Sequence, residues 1–171
     1  MNSTPKAAAI VLSLGFLLPT LAFAAKQPNQ SRTYTPVEYR NRKYNFCLSL
    51  PEGWSGYKVI IGKYEGDSTE SFEVGKRRVT LMPFITIRHP QWTPQEPRQD
   101  IPIMVLTHEQ WRLWQDGKLI LSATNGRPGE LGHNSKYVFA VPPRYNADDL
   151  PGWREVDKVV AGHSFHAPCK R

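Results

Sequence analysis

Three potential metal ligands lie close together near the C-terminus. His163, His166 and Cys169 follow an HxxHxxC spacing, and imidazole nitrogens with a thiolate sulfur are ligands that zinc and copper take. Pro168 interrupts any helix that would align them, and the pattern supplies no fourth ligand. We therefore expect no resident metal or other cofactor, and these three residues are the candidates if a metal binds. The alternative to a metal site is a C-terminal tail in which both histidines are solvated.

The chain has two cysteines, Cys47 and Cys169. An even number of cysteines in an oxidising compartment permits a disulfide, and two separate thiols are the alternative. No CxxC motif is present, so a disulfide would be structural and would join the C-terminal tail to the first core strand.

The sequence contains no motif that commits to a catalytic reaction. GxSxG, GxGxxG and the GxxxxGK phosphate loop are all missing. Asp100 and His108 flank one strand and stand roughly 20 Å apart along it, so local geometry does not bring them together. A periplasmic hydrolase or metal-binding protein that uses His and carboxylate groups stays the alternative to a non-enzymatic protein.

Aromatic and basic side chains occur in the sequence both before and after the strand that Asp100 and His108 flank. Arginine and tryptophan often anchor binding interfaces, and the candidate binding residues are Arg88, Trp92, Arg98, Trp111, Arg144 and Tyr145. The alternative is that Trp92, Trp111 and Trp114 pack as a satellite core under a long loop with three prolines that precedes the strand.

The strand between these residues is predicted to be central in the sheet. Residues 101–106 are apolar on both faces, which is typical of a strand that is covered on both sides, and Pro102 fits only near its start. Thr107 and Gln110 have the spacing of a capping box, so a short helix is predicted to follow and to stop at Gly117.

Other elements follow from apolar periodicity and turn residues. Residues 44–50 alternate as a half-buried strand, and residues 57–64 are predicted to pair with it in antiparallel fashion. Residues 67–78 are predicted to be a polar arm and residues 125–134 a loop. Further strands are predicted at 79–87, 119–123 and 137–141, the last of these being the final strand. After Asp148 and Asp149, which can cap a helix, Pro151 is predicted to open a C-terminal amphipathic helix.

The N-terminus has the pattern of a secretory signal peptide. Lys6 precedes an apolar run, and Ala22 and Ala24 supply the small residues of a cleavage site, so residues 1–24 are predicted to be removed. Residues 25–40 are then a flexible leader and residues 41–171 a single domain. Localisation is predicted to be secreted or periplasmic. No stable membrane span remains after cleavage.

The predicted fold class is α+β: one mainly antiparallel twisted sheet of about five or six strands, with two helices packed on it. The formal net charge of +7 favours anionic partners. Export makes nucleic acid an unexpected ligand.

The segment Phe46–Trp54, FCLSLPEGW, is a strand that ends in LPxGW, and over these nine residues it resembles the opening of Mog1/PsbP-like domains. That resemblance implies a twisted antiparallel sheet between helices and a non-enzymatic domain that binds protein partners. The family has no catalytic motif to carry over, so no site residue is transferred. We expect an exported binding or accessory protein that engages an envelope protein or an anionic envelope surface.

Overall fold

The computed structural model describes residues 37–69, 79–121, 129–146 and 149–169. Within these ranges there are nine strands and two α-helices. The strands are β1 (Val37–Asn41), β2 (Phe46–Leu50), β3 (Lys58–Ser68), β4 (Val79–Arg88), β5 (Ile101–Thr107), β6 (Leu119–Ile120), β7 (Gly129–His133), β8 (Tyr137–Val141) and β9 (Phe165–His166); the helices are α1 (His108–Gln115) and α2 (Trp153–Ala161). The predicted signal peptide lies outside the described residues.

The strands form two antiparallel sheets. The larger sheet has the order β6-β3-β4-β5-β8-β7, and the smaller one has the order β1-β2-β9. The α+β class and the six-stranded sheet are confirmed, whereas the three-stranded sheet was not predicted. Neither described helix has the length and apolar character that crossing a membrane requires.

β5 is the central strand, as its sequence predicts. It pairs with β4 on one side and β8 on the other, and its first six residues are all buried. Pro102 is its second residue, opposite Thr86, where the β8 ladder has not yet begun. The missing N–H of Pro102 therefore costs no hydrogen bond to β8.

Each face of the six-stranded sheet has its own apolar core. Ile101, Ile103 and Val105 belong to a cluster with β2, Trp54 and the buried face of α2. Met104 and Leu106 belong to a second cluster on the opposite face, against which α1 packs. Alternate side chains of β5 thus contribute to two different cores, which explains why the strand is apolar on both faces.

The start and stop of α1 are confirmed. The Thr107 hydroxyl accepts from the Gln110 backbone N–H at 3.1 Å, and the Gln110 side chain accepts from the Thr107 backbone N–H at 2.8 Å. Gly117 follows the helix with φ of +72°, a conformation that glycine adopts without a Cβ penalty.

The predicted pairing of β2 with β3 is wrong. β2 pairs with β1 and β9, whereas β3 pairs with β4 and β6. A 3-10 turn at Glu52–Trp54 buries the Trp54 side chain, and Gly56 turns the chain with φ of +84°. This buried turn directs β3 into the other sheet, so no hairpin forms between the two strands.

The N-terminal boundary also needs correction, because residues 37–40, assigned to the leader, belong to β1. Residues 129–133, predicted to be part of a loop, form β7, where an irregularity between Glu130 and Gly132 accommodates the glycines. β8 is confirmed but is not the last strand, since β9 follows it. The arm predicted at 67–78 falls mostly outside the described residues.

The C-terminal helix is confirmed, but its predicted cap is wrong. Val156 and Val159 are buried, as the amphipathic pattern predicts. The N-cap residue is Gly152, in a left-handed conformation with φ of +89° and without a side-chain cap. Pro151 precedes the helix instead of opening it.

The disulfide predicted as one of two alternatives is present. Cys47 and Cys169 are bonded across a sequence separation of 122 residues. Cys47 lies in β2 directly opposite His166 of β9, so the bond fixes the end of the chain against the smaller sheet.

We expect replacement of both Cys47 and Cys169 by alanine to lower the free energy of unfolding by roughly 2–5 kcal/mol, because the bond restricts a long loop in the unfolded chain. Urea denaturation with and without a reductant measures the effect. Reductant should destabilise the wild type by a similar amount and leave the variant unchanged. Equal stability of the variant and the wild type without reductant would contradict a structural role of the disulfide.

Candidate functional site

The segment between β4 and β5, residues 89–100, is an ordered connection without regular secondary structure, and we call it the Pro-rich loop. Its ends are clamped together. Asp100 accepts from Arg88 Nε at 3.1 Å and from Arg88 Nη2 at 2.8 Å. The Arg88 guanidinium also lies 3.7 Å from the centre of the Trp92 ring. Arg88 and Trp92 therefore hold the base of the loop.

A buried histidine anchors the start of the loop. His89 is 4% exposed, and its ring meets that of Trp54 edge-on at 4.9 Å. Its Nδ1 accepts from the Gln91 backbone N–H at 3.1 Å, which requires Nδ1 to be unprotonated. Burial is the main cause that lowers the pKa of His89; the charge of Arg98 lowers it further, and Glu155 opposes both.

A buried glutamine anchors the end of the loop. Gln99 Nε2 donates to the Tyr145 carbonyl oxygen at 2.8 Å, and the Gln99 backbone N–H donates to the Pro151 carbonyl at 2.9 Å. The Tyr145 hydroxyl in turn donates to Asp157 of α2 at 2.5 Å. Burial, this hydrogen bond and the charge of Asp157 all raise the pKa of Tyr145. The loop is thus tied to the segment that precedes α2 and, through Tyr145, to the helix.

The middle of the loop is exposed from residue 93 to residue 97. It forms one wall of a cavity of about 710 Å³ whose lining residues are Gln91, Gln95, Glu96, Pro97, Arg98 and Pro151. The loop is therefore held at both ends and presents its centre to solvent beside a concave surface, which is a common arrangement for recognition.

Arg98 is the unpaired cation of this cavity. In the described part of the chain its guanidinium has no hydrogen-bond or ion-pair partner, and its Nε is buried from solvent. Buried donors in native proteins are nearly always satisfied, and an unsatisfied one calls for an explanation. A charge-bearing donor is costlier still to leave unpaired.

The position of Arg98 beside α2 adds to this cost. A Cβ placed on Gly152, the N-cap residue, would lie 3.3 Å from Arg98 Nη2. Glycine at 152 thus supplies both the left-handed conformation and the space for the guanidinium. The N-terminus of a helix carries partial positive charge, so a cation there is unfavourable and an anion is favoured.

Trp111, another of the predicted binding residues, does not lie in one groove with Arg98. Trp111 follows β5 and packs against the core on the other face of the sheet, together with Trp114 at a ring distance of 4.7 Å. The two ends of β5 stand about 20 Å apart. The predicted continuous surface is therefore divided, with Arg88, Trp92 and Arg98 at one end and Trp111 at the other.

The three tryptophans do not form one satellite core under the Pro-rich loop, because Trp111 and Trp114 pack on the second core instead. Trp92 does not join them, since it lies under Arg88. The other two predicted binding residues, Arg144 and Tyr145, lie between β8 and α2. Tyr145 hydrogen-bonds to Asp157, whereas Arg144 is exposed with φ of +55°.

The metal site suggested by the HxxHxxC spacing is not formed. Cys169 is disulfide-bonded and cannot supply a thiolate, and His163 and His166 are both exposed. Among the described residues, the cluster Glu38, Cys47 and Cys169 brings three potential ligand atoms together, but both sulfurs are in the disulfide.

A histidine–carboxylate pair of the kind that the hydrolase alternative requires lies away from the Pro-rich loop. His133 Nδ1 lies 2.8 Å from Glu130 Oε1, beside a cavity of about 450 Å³. That cavity is lined by Glu130, Gly132, His133, Phe165, His166, Ala167 and Pro168. None of these residues carries a hydroxyl or thiol nucleophile. His108 and Asp100 are apart as predicted, with His108 Nε2 2.7 Å from the Asn134 carbonyl oxygen and Asp100 bound to Arg88.

The sequence pattern did not identify Gln99 and Gly152 as parts of this site. The burial of His89 depends on Trp54, and two of the carbonyls that accept from Gln99, those of Tyr145 and Pro151, lie 46 residues or more away. The one available signal was Pro-Gly at 151–152 before an apolar periodicity, which marks a turn but not its neighbour.

No protein-family model, curated protein or solved structure matches this chain. The resemblance to Mog1/PsbP-like domains therefore stays a prediction.

Stability should fall as the pH drops below about 6.5, the ordinary pKa of histidine. His89 has a lowered pKa in the folded protein, so the unfolded chain binds the proton more readily. The loss continues down to the lowered folded pKa. His89→Asn keeps an acceptor for the Gln91 N–H without titrating, so its change in Tm between about pH 7.5 and 5.5 should be smaller. His163→Asn, at an exposed position, is the control; equal pH slopes for H89N and the wild type would contradict this role.

Tyr145→Phe should lower the free energy of unfolding by about 1.5 kcal/mol, because it removes a hydrogen bond to a carboxylate. Asp157 would keep only its bond from Asn146 Nδ2, at 2.8 Å. Tyr137→Phe is a suitable control, since the Tyr137 hydroxyl has no hydrogen-bond partner among the described residues. Chemical denaturation of both variants decides the matter, and equal losses would argue against a specific Tyr145–Asp157 contribution.

Proposed function

We propose that this chain is an exported binding protein of the bacterial envelope, and that the Pro-rich loop recognises an acidic protein partner by receiving a carboxylate at Arg98. The observation that carries this proposal is the unpaired Arg98 guanidinium at the wall of the cavity. A guanidinium offers a fork of N–H donors that matches the two oxygens of a carboxylate.

The chemistry around Arg98 favours an anion over a neutral ligand. A bound carboxylate would satisfy the guanidinium and would also lie near the N-terminus of α2, where negative charge is favoured. Gln91 and Gln95 line the same cavity, and their amides can both donate and accept hydrogen bonds with a polypeptide backbone. Glu96 also lines it and would disfavour a second acidic group close by.

The rigidity of the loop supports recognition because an ordered loop loses little entropy on binding. Its two anchors, the Arg88–Asp100 pair and the Gln99 contacts, leave the exposed centre in one arrangement. The Arg88 guanidinium is already paired with Asp100 and stacked on Trp92. The loop therefore presents Arg98, and not Arg88, as the free cation.

Export is supported by the predicted signal peptide and by the disulfide, which is of the kind that forms and persists in oxidising compartments. We infer an envelope or secreted location from these two features together. In that setting an acidic segment of another exported protein is the partner that fits Arg98.

We expect Arg98→Gln to weaken binding of a glutamate-rich peptide about tenfold or more, because a hydrogen bond to a charged group contributes about 1.5–3 kcal/mol. Arg98→Lys should recover only part of the affinity, since lysine lacks the planar fork. Arg154→Gln is the matched control, because Arg154 is near the same helix end but lines a different cavity. Isothermal titration calorimetry measures all three variants.

The stability of the variants separates binding from folding. Arg98→Gln removes an unpaired cation beside a helix N-terminus, so it should unfold at the wild-type temperature or above it. Equal affinity for R98Q and the wild type, or equal losses for R98Q and R154Q, would contradict recognition by Arg98.

A further inference from the structure

The outer edge of the larger sheet is open along part of β3. β4 pairs with β3 along one side, but on the other side β6 pairs only with Asp67 and Ser68. The same register places Leu121 beside Gly66, which agrees with Leu121 Cδ2 lying 3.1 Å from a Cβ built on Gly66. Among the described residues, the segment Lys58–Tyr64 therefore has no strand on its outer side, and we call it the open edge.

The open edge is apolar on both faces of the sheet. Val59 is 39% exposed, Ile60 41% and Ile61 65%. Val59 and Ile61 lie on the same face as Ile85 and Ile87, whereas Ile60 lies on the opposite face. Three consecutive exposed β-branched residues on an unpaired edge are unusual, because such edges readily pair with another strand.

We propose that the open edge is a homodimer interface, in which β3 pairs in antiparallel fashion with β3 of a second copy. The two strands are related by a two-fold axis through the sheet at Ile61. The open edge is seven residues long and Ile61 is its centre. In this register the second copy's β3 begins at Lys58, opposite Tyr64, and so stops short of the described part of β6, whereas a strand that continued further in this direction would collide with β6.

The distribution of charge agrees with this register. Antiparallel pairing about Ile61 places Ile61 opposite Ile61, Lys58 opposite Tyr64, and Lys63 opposite Val59. Each lysine thus faces an aromatic or aliphatic side chain that its stem can cover. A register centred on Lys63 would instead oppose two lysines, and like charges directly opposite destabilise a strand pair.

The interface uses no residue of the Pro-rich loop, so it is independent of the proposed recognition by Arg98. A two-fold strand pair also closes on itself, since each copy has used its open edge. Pairing the edges therefore protects the apolar residues without building a filament.

Sedimentation of the purified chain over a range of concentrations tests the dimer. The wild type should sediment at twice the monomer mass, and Ile61→Lys should be monomeric at the same concentration, because it opposes two ammonium groups at the axis. Leu81→Lys is the matched control: Leu81 is 48% exposed on the same face but lies in β4, one strand inward. It should remain dimeric.

Cysteine cross-linking tests the register. The native cysteines are bonded to each other, so Ile61→Cys adds the one free thiol. Directly opposite residues have Cα atoms about 4.5–5.5 Å apart, within disulfide range, so I61C should oxidise to a covalent dimer. Leu81 pairs with Glu65, four residues from the axis, so Leu81→Cys would stand about 30 Å from its counterpart, three strand spacings across the sheet and eight residues along it, and should not cross-link. A monomeric wild type, or equal cross-linking of I61C and L81C, would overturn the proposal.

Discussion

The burial of β5 on both faces is the constraint on which the rest of the structure depends. A strand covered on two sides needs a core on each, and here α1 supplies one cover while α2 and the smaller sheet supply the other. The length of β5 also fixes the distance between the elements at its two ends. The Pro-rich loop enters at one end, and α1 leaves from the other, about 20 Å away. The polar chemistry of the chain is consequently divided between two separate regions of the surface.

The two arginines of the loop region show how the same residue type takes different roles. Arg88, the last residue of β4, donates to the Asp100 carboxylate at the other end of the loop, and it stacks on Trp92. Arg98 lies beside a helix N-terminus without a counter-ion, where its charge also lowers the pKa of His89. The first arrangement stabilises the fold. The second costs free energy in the isolated domain, and such costs are concentrated where proteins bind ligands.

Much of the fold could be predicted from local pattern. The central strand, the capping box at Thr107 and the glycine stop at Gly117 depend on residues within a few positions of one another, so the sequence displays them directly. The pairing of β2 could not be predicted this way, because it is decided by the buried turn around Trp54 and by β9, which lies more than a hundred residues further along the chain. The disulfide was left as one of two alternatives for the same reason.

The candidate site was predicted only in its residue types. Arginines and aromatics in the right segment identified Arg88, Trp92 and Arg98, but nothing in their spacing distinguishes the paired arginine from the unpaired one. That distinction depends on Asp100 and Gly152, whose contacts are visible only in three dimensions. Trp111 was grouped with them because it is near in sequence, although the length of β5 separates it from the loop.

The most direct test of the account is an NMR titration of His89 in the presence and absence of a saturating glutamate-rich peptide. Arg98 lowers the pKa of His89 through its charge, so a carboxylate bound to the guanidinium should offset that charge. The bound peptide is expected to raise the pKa of His89 towards the ordinary histidine value. A peptide that binds while the pKa of His89 stays unchanged would contradict a carboxylate at Arg98.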